Sequence, residues 1–292
     1  MRLWLMAARP RTLPAAIAPV LVGTAAAVEQ VDDIRVGAFI AALVGSIFIQ
    51  IGTNLANDYS DAKRGADTED RLGPVRVTSS GLVAPRRVLV ATWIAFAVAV
   101  AAGIYLATVA GVLILIVGAA SILAGVLYTG GPRPYGYAGL GELFVFLFFG
   151  LVAVNGSYYV QLERLDWLPF GLSLSVGFLA TAILVVNNVR DIDTDRRAGK
   201  MTLAVRLGRQ RTRNLYASLI AAAFVAVPAT LVATGTPAWG LLVFAATPMV
   251  HRPLAAVMTR TDGPALNGAL AGTGALLAAF SLLLTAGLLL SS

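Results

Sequence analysis

The sequence predicts an all-α integral membrane protein, and three observations lead to that prediction. Of the 292 residues, 58% are hydrophobic and only 13% are charged, with a mean hydropathy of +0.80. A soluble domain carries about 25% charged residues. The apolar residues fall into runs long enough to cross a bilayer, which takes about 20 residues per helix. The Lys and Arg residues collect in the connections between these runs, as membrane topology requires.

Nine apolar runs are predicted to be membrane-spanning helices in one bundle. They are 12–29, 34–57, 86–107, 109–128, 139–162, 167–189, 212–234, 236–259 and 265–289. The first run follows three arginines and lacks a small-residue cleavage pattern, so we interpret it as a mature helix and not as a signal peptide. We expect residues 1–292 to form a single membrane-embedded domain.

The distribution of positive charge predicts the orientation. Of the 22 Lys and Arg residues, only Arg35 and Arg164 fall in connections on one side of a nine-helix bundle. The opposite side, which holds the N-terminus and the long connections 58–85 and 190–211, should therefore be cytoplasmic. This topology explains the net charge of +7, so we expect a multi-pass protein of the plasma membrane and no nucleic-acid partner.

The scarcity of nitrogen and sulfur ligands restricts the metal chemistry. The chain has no cysteine and one histidine, which excludes disulfides and thiolate sites. A zinc site usually takes three or four nitrogen or sulfur ligands. Any metal must therefore be held by oxygen atoms, and His251 is interpreted as a membrane-edge residue.

Two similar acidic motifs follow the second and the sixth predicted spans. The first runs from Asn54 to Asp67 and the second from Asn187 to Lys200. Asp58 and Asp61 are three residues apart, and Asp191 and Asp195 are four apart, so each pair shares one helix face. Mg²⁺ would relieve the repulsion between these carboxylates, since it prefers oxygen ligands together with phosphates. Two facing motifs with two Mg²⁺ ions around a diphosphate are the arrangement we expect, at the cytoplasmic mouth.

Polar neighbours repeat around both motifs. Lys63 and Lys200 are the only lysines of the chain, one beside each motif. With Arg64 and Arg190 they are predicted to neutralise a diphosphate. Asparagines just inside the membrane should face a cavity; they are Asn54, Asn57, Asn187 and Asn188. The recurrence predicts a pseudo-repeat of helix groups around a central cavity, and the alternative is a solvated helix end that balances nearby arginines.

With these paired motifs the chain resembles the UbiA-type intramembrane prenyltransferases, which carry Asn-Asp-x-x-Asp and Asp-x-x-x-Asp after the second and sixth of nine helices. Within that family it is most similar to the members that prenylate 1,4-dihydroxy-2-naphthoate for menaquinone synthesis. The stretches that carry this closer resemblance are 9–14, 54–67, 70–76, 128–142 and 190–208. Some relatives have a third acid where this chain has Gly65, so either Asp67 or Asp70 would join the metal site.

The resemblance implies a reaction and a set of site residues. A polyprenyl diphosphate would ionise, its tail would leave between helices into the lipid bilayer, and the naphthoate ring would attack with loss of CO₂ to give demethylmenaquinone. Implied metal ligands are Asp58, Asp61, Asp67, Asp191 and Asp195, and Lys63 and Lys200 join the catalytic set. Implied diphosphate-binding residues are Asn54, Asn57, Lys63, Arg64, Arg133, Asn188, Arg190 and Lys200. Implied acceptor-binding residues are Arg9, Arg11, Tyr128, Tyr135 and Tyr137, for which the positive-inside rule and the aromatic belt are the alternative explanations.

Three alternative functions are compared with the one that the resemblance implies. The acceptor of a UbiA-type enzyme could instead be 4-hydroxybenzoate, homogentisate, haem or a chlorophyllide. A CDP-alcohol phosphotransferase also uses intramembrane aspartates, but its signature is absent. A transporter should place ionisable groups near the bilayer midplane, whereas the charges here lie in connections and at helix ends.

Overall fold

The computed structural model describes residues 2–31, 33–66 and 72–292. These ranges contain no β-strand, and 82% of the described residues are helical. The α-helices are α1 Arg2–Ala8, α2 Pro14–Val31, α3 Val36–Lys63, α4 Pro85–Ala110, α5 Leu113–Leu127, α6 Gly141–Val145, α7 Ala153–Leu162, α8 Trp167–Arg197, α9 Leu203–Leu207, α10 Arg209–Thr234, α11 His251–Thr259 and α12 Gly263–Leu289. Short 3₁₀ turns cover Pro10–Thr12 and Tyr135–Ala138, a longer 3₁₀ helix covers Ala238–Val250, and a π-helical segment covers Phe146–Val152.

Eight helices within the described ranges are long and apolar enough to cross a membrane. Two are composite: Gly141–Leu162 joins α6, the π segment and α7, and Ala238–Thr259 joins the long 3₁₀ helix to α11. The predicted class, an all-α multi-pass membrane protein, is thereby confirmed. The predicted span 109–128 is α5, whose 15 residues rise only about 22 Å, less than the roughly 30 Å of hydrocarbon. The count of nine spans is therefore not confirmed.

The two helices that carry the acidic motifs are longer than predicted. α3 continues to Lys63 and α8 to Arg197, whereas the sequence predicted their ends at residues 57 and 189. Each motif is thus the last turns of a helix, where carboxylates meet the negative end of the helix dipole. Such an arrangement requires nearby cations. The pseudo-repeat itself stays a prediction.

The N-terminal segment lies on the same side of the bundle as the acidic motifs. Asn54 Nδ2, near the end of α3, donates a hydrogen bond to the carbonyl oxygen of Ala8 at 3.0 Å. The loop after α5 returns to the same place, because Thr129 Oγ1 donates to Asn57 Oδ1 at 2.9 Å. α5 therefore leads the chain back to the acidic end of the bundle despite its shortness.

α8 is the central helix of the bundle and holds the second motif rigidly. Leu168, Leu172, Val176 and Leu179 along it are at most 1% exposed, and it packs against α2, α10, α12 and the π segment. At one crossing only glycine is possible: a Cβ on Gly150 would lie 2.6 Å from the Cα of Gly177. Small residues permit such close approach between membrane helices. The π segment is consequently pressed against α8.

Candidate active site

Both acidic motifs open into one cavity of about 370 Å³. Asp61 enters it from α3, and Asp191 and Asp195 enter it from α8. Away from these acids the lining becomes apolar, between α3, α5 and the Gly141–Leu162 helix. The cavity therefore has a polar mouth and an apolar interior.

Three polar residues of α3 line the mouth at helical spacing. Asn54, Asn57 and Asp61 share the cavity face, since residues three and four apart lie together on a helix. Asn54 also donates to Thr12 Oγ1 at 3.1 Å. With the bond from Thr129 to Asn57, these contacts fasten the N-terminal segment and the loop after α5 to the mouth.

Asp61 is surrounded by three partners from distant parts of the chain. Its carboxylate lies 3.3 Å from Arg76 Nη2 and 3.5 Å from Lys200 Nζ. Tyr137 donates its hydroxyl to Asp61 Oδ1 at 2.6 Å, and Lys200 Nζ lies 4.8 Å from the centre of the Tyr137 ring. Because Asp61 is only 2% exposed, these cations offset the cost of burying its charge.

Asp58 is buried but is not among the residues that line the cavity. Its two carboxylate oxygens accept backbone N–H bonds from Val77 at 3.1 Å and from Thr78 at 3.0 Å. Those bonds hold the turn that begins with Arg76, the same residue that reaches Asp61. The sequence suggested a metal ligand at Asp58, and the structure places it as the support of this turn.

In the second motif Asp191 and Asp195 face the cavity, whereas Arg190 lies behind Asp191. Arg190 binds both oxygens of Asp191, with Nε at 2.7 Å and Nη2 at 2.6 Å. It also donates to Asn187 Oδ1 and to Asn267 Oδ1, and it is 1% exposed. Arg190 does not line the cavity, so it positions Asp191 and is not placed to meet a diphosphate. Asp193 points elsewhere and pairs with Arg209 at 2.8 Å.

A buried carboxylate orients the amide of Asn188. Asn188 Nδ2 donates to Glu142 Oε1 at 2.8 Å, and Glu142 is 6% exposed. Asn188 lines the cavity, whereas Glu142 does not. With its nitrogen bound to Glu142, the amide leaves its oxygen for a ligand in the cavity.

Aromatic rings lead from the mouth into the apolar interior. Tyr128 packs edge-to-face on Tyr135 at 5.4 Å, Tyr135 stacks on Phe144 at 4.0 Å, and Phe144 stacks on Phe148 at 6.1 Å between ring centres. Tyr135 donates its hydroxyl to the carbonyl of Ala124 at 2.9 Å. Burial raises the pKa of Tyr135 above its ordinary value, so it remains a neutral phenol.

The remaining predicted residues divide into those the cavity includes and those it does not. Arg9, Tyr128, Tyr135 and Tyr137 line it. Arg11, Lys63 and Arg133 are exposed away from it. Arg64 binds the carbonyl oxygens of Thr129 and Gly131 and so braces the loop after α5. His251 is exposed, and Asp67 and Asp70 lie outside the described residues.

Arg76 was not predicted as a site residue from the sequence. It lies in the 70–76 stretch that carried part of the family resemblance, and that membership was the available signal. Thr12, Thr129 and Thr202 also line the cavity. These threonines lie in the stretches 9–14, 128–142 and 190–208 that carried the resemblance, so the same signal was available for them.

The donor atoms of the mouth fit Mg²⁺. The lining holds three carboxylates, together with three cations, Arg9, Arg76 and Lys200, so a bound diphosphate would add uncompensated negative charge. No group of three or more Asp, Glu, His or Cys side chains is preassembled within the described ranges. Mg²⁺ commonly binds one or two carboxylates plus substrate phosphates and not an all-protein cage, and the amide oxygens supply further hard ligands.

The fold and the cavity define a multi-pass membrane protein with an oxygen-rich site at the mouth of an apolar chamber. The model of the UbiA prenyltransferase family matches residues 16–265, and the chain belongs to this family. It is 46% identical to the 1,4-dihydroxy-2-naphthoate octaprenyltransferase of Mycobacterium tuberculosis, over 93% of this chain and 91% of that one. It is 38% identical to the enzyme of the same name from Escherichia coli, over 99% and 95% of the two chains.

Solved structures share the fold at low sequence identity. The apo structure of a UbiA homolog from Aeropyrum pernix K1 matches with a TM-score of 0.69 at 16% identity, over 94% of this chain and 97% of that one. A UbiA homolog from Archaeoglobus fulgidus, bound to DMAPP and Mg²⁺, matches with a TM-score of 0.66 at 13% identity, over 97% and 99%.

Proposed function

We propose that the protein transfers a polyprenyl group from polyprenyl diphosphate to 1,4-dihydroxy-2-naphthoate, with loss of CO₂ and diphosphate. The observation that carries this proposal is the single cavity that joins an oxygen-rich, cation-bearing mouth to an apolar interior. A prenyl diphosphate is complementary to this cavity, because it has an anionic end and a hydrocarbon end. The names of the relatives at 46% and 38% identity support the acceptor.

Asp61, Asp191 and Asp195 would hold Mg²⁺, with the amide oxygens of Asn57 and Asn188. Two ions are proposed, since the carboxylates enter from two separate helices. Bound Mg²⁺ would neutralise the diphosphate and serve as a Lewis acid for its departure. The homolog structure with DMAPP and Mg²⁺ supports this part of the proposal.

Arg76 and Lys200 are the cations of this chain that would receive the diphosphate. Both now contact Asp61, and both line the cavity. When the allylic C–O bond breaks, its electron pair goes to the diphosphate, and fixed cations stabilise the charge that develops there. Lys200 serves as a point charge, and Arg76 offers a planar fork.

Arg9 lines the mouth from the N-terminal side and would pair with the carboxylate of the naphthoate. The ring carbon that bears this carboxylate forms the new bond to the first prenyl carbon. The bond to CO₂ then breaks and its electron pair restores the aromatic ring, so CO₂ leaves where a proton otherwise would. The product leaves as the hydroquinone form of demethylmenaquinone. The ring of Tyr135, which lines the cavity, would stabilise the allylic cation, and the apolar lining would exclude water.

The membrane side of the cavity mouth and the extent of the domain are also proposed. We place the mouth on the cytoplasmic side of the plasma membrane, because positive charge concentrates in the connections on that side. Residues 1–292 would form one membrane-embedded domain, which the family match over residues 16–265 supports.

The test is a reaction of the purified protein in detergent with Mg²⁺, an allylic prenyl diphosphate and 1,4-dihydroxy-2-naphthoate. We expect a prenylated naphthoquinol and CO₂ in equal amounts, with loss of both in Asp61→Asn and in EDTA. Asp193→Asn is the matched control, because Asp193 is exposed and faces away from the cavity. Turnover with 4-hydroxybenzoate, homogentisate or haem, but not with the naphthoate, would overturn the acceptor. A folded protein that consumes no prenyl diphosphate would overturn the enzyme proposal and direct attention to transport.

A further inference from the structure

The apolar interior of the cavity is a long shaft. On α3 its lining continues from Asp61 inward to Ala42, which precedes Asp61 by 19 residues. At 1.5 Å per residue this is about 28 Å, close to the hydrocarbon thickness of a bilayer. Gly118 on α5 and Gly156 on α7 line the shaft from the opposite helices.

Packed apolar side chains lie at the end of the shaft farthest from the acids. Leu106, Ile114 and Val160 line its end and belong to one buried cluster with Ala38 and Ala110. A chain that enters from the acidic mouth therefore meets packed side chains at the opposite end of the bundle.

Gly118 and Gly156 have no packing reason to be glycine. A Cβ at either position would meet no atom within 4 Å. By contrast, a Cβ on Gly23 would lie 2.2 Å from the carbonyl oxygen of Val154, and one on Gly125 would lie 2.2 Å from Thr53 Oγ1. Glycine inside a helix costs about 1 kcal/mol relative to alanine, and neither position has the positive φ that favours glycine. What the two glycines provide is open space in the shaft.

We propose that Gly118 and Gly156 keep the shaft open for the distal isoprene units and so determine which donor chain lengths the enzyme accepts. This rests on the proposed function, since it assumes a prenyl diphosphate at the mouth. Gly118 on α5 precedes Tyr128, the residue that directly follows this helix, by ten residues, which places Gly118 about 15 Å below the mouth. A leucine there would leave room for a short prenyl chain and obstruct a long one.

The experiment compares Gly118→Leu and Gly156→Leu with the wild-type chain, using geranyl and geranylgeranyl diphosphate as donors. We expect kcat/KM for geranyl diphosphate to stay within about threefold, and that for geranylgeranyl diphosphate to fall by roughly tenfold or more, as obstruction of a hydrophobic pocket does. Gly268→Leu is the matched control: its Cβ also meets open space, but Gly268 is exposed on α12 and does not line the cavity.

Equal losses with both donors would overturn the proposal, because the substitution would then act on the fold or the mouth. No loss with either donor would overturn it as well, because the tail would then follow another route. Binding of non-reacting thiodiphosphate analogues of the two donors, measured by calorimetry without naphthoate, separates this proposal from the acceptor. One outcome is that the leucine variants bind the shorter analogue better than the longer one while no naphthoate is prenylated. In that case the proposal for the shaft holds and the proposed acceptor is wrong. If the wild-type chain binds neither analogue, the proposed donor itself is overturned.

Discussion

The Nζ atom of Lys200 lies 3.5 Å from Oδ2 of Asp61, and this ion pair joins the two acidic motifs. Lys200 follows the second motif, whereas Asp61 belongs to the first, and both are less than 10% exposed. A buried carboxylate at a helix C-terminus is unfavourable without such a partner. The pair therefore fixes the two halves of the mouth relative to each other and keeps a cation where a diphosphate would bind.

Replacement of Lys200 by methionine should impair the use of the prenyl diphosphate. The variant keeps the length of the side chain and loses a charge-assisted contact, so we expect kcat/KM for the donor to fall roughly 10- to 100-fold. Lys63→Met is the informative comparison, because Lys63 is the only other lysine and is exposed outside the cavity. Steady-state kinetics at saturating Mg²⁺ measure both. Equal losses in the two variants would show that Lys63 also reaches the substrate, as the sequence suggested.

Substitutions of Asp58 and of Asp61 should differ in their effect on the Mg²⁺ requirement of the enzyme. Asp61→Asn removes a proposed metal ligand, so the Mg²⁺ concentration for half-maximal activity should rise steeply. Asp58→Asn removes one acceptor for the N–H groups of Val77 and Thr78, which costs roughly 1–3 kcal/mol of local stability. Its Mg²⁺ requirement should stay near that of the wild type, while the 72–84 loop becomes more sensitive to limited proteolysis. A Mg²⁺ requirement raised equally in both variants would restore Asp58 as a ligand.

Glu142 should be replaceable by glutamine but not by alanine. Glutamine keeps an oxygen that accepts the hydrogen bond from Asn188 Nδ2, whereas alanine leaves that buried donor unpaired. We expect Glu142→Ala to lower kcat by roughly tenfold, the cost of about 1.4 kcal/mol in the reaction barrier, and Glu142→Gln to retain most activity. Equal loss in both variants would mean that the negative charge of Glu142 matters and not its acceptor. Mg²⁺ binding by each variant, followed by calorimetry, shows whether the amide orientation affects the metal site.

The crossing of the π segment over α8 should tolerate no side chain. Gly150→Leu would drive its side chain into the backbone of Gly177, and overpacking of this kind costs typically 1–3 kcal/mol. We expect a lower thermal unfolding temperature in detergent and a loss of activity, since the π segment positions Phe148 in the cavity. Gly268→Leu, at an open exposed position, should leave the unfolding temperature unchanged. An unchanged temperature in Gly150→Leu would show that the helices separate at little cost.

Pattern and spacing were sufficient to predict the membrane class, most helix positions and the acids of the mouth. Runs of apolar residues identify membrane helices because every spanning segment meets the same solvent. The pairing of Asp191 with Asp195 and the lone lysine beside each motif likewise needed no coordinates. The length of α5 was harder to predict, because the 15-residue helix and the apolar turns beside it form one longer apolar run in the sequence.

What the sequence by itself determined is therefore the class of protein and the chemical types of its site residues. Only the tertiary structure decided which of two neighbouring acids faces the cavity: Asp61 does, while Asp58 turns to the backbone of Val77 and Thr78. It alone brought Arg76 beside Asp61 and placed Arg190 behind Asp191. The physical reason is that hydropathy is a property of each residue, whereas the partner of a buried charge depends on which distant segment packs against it.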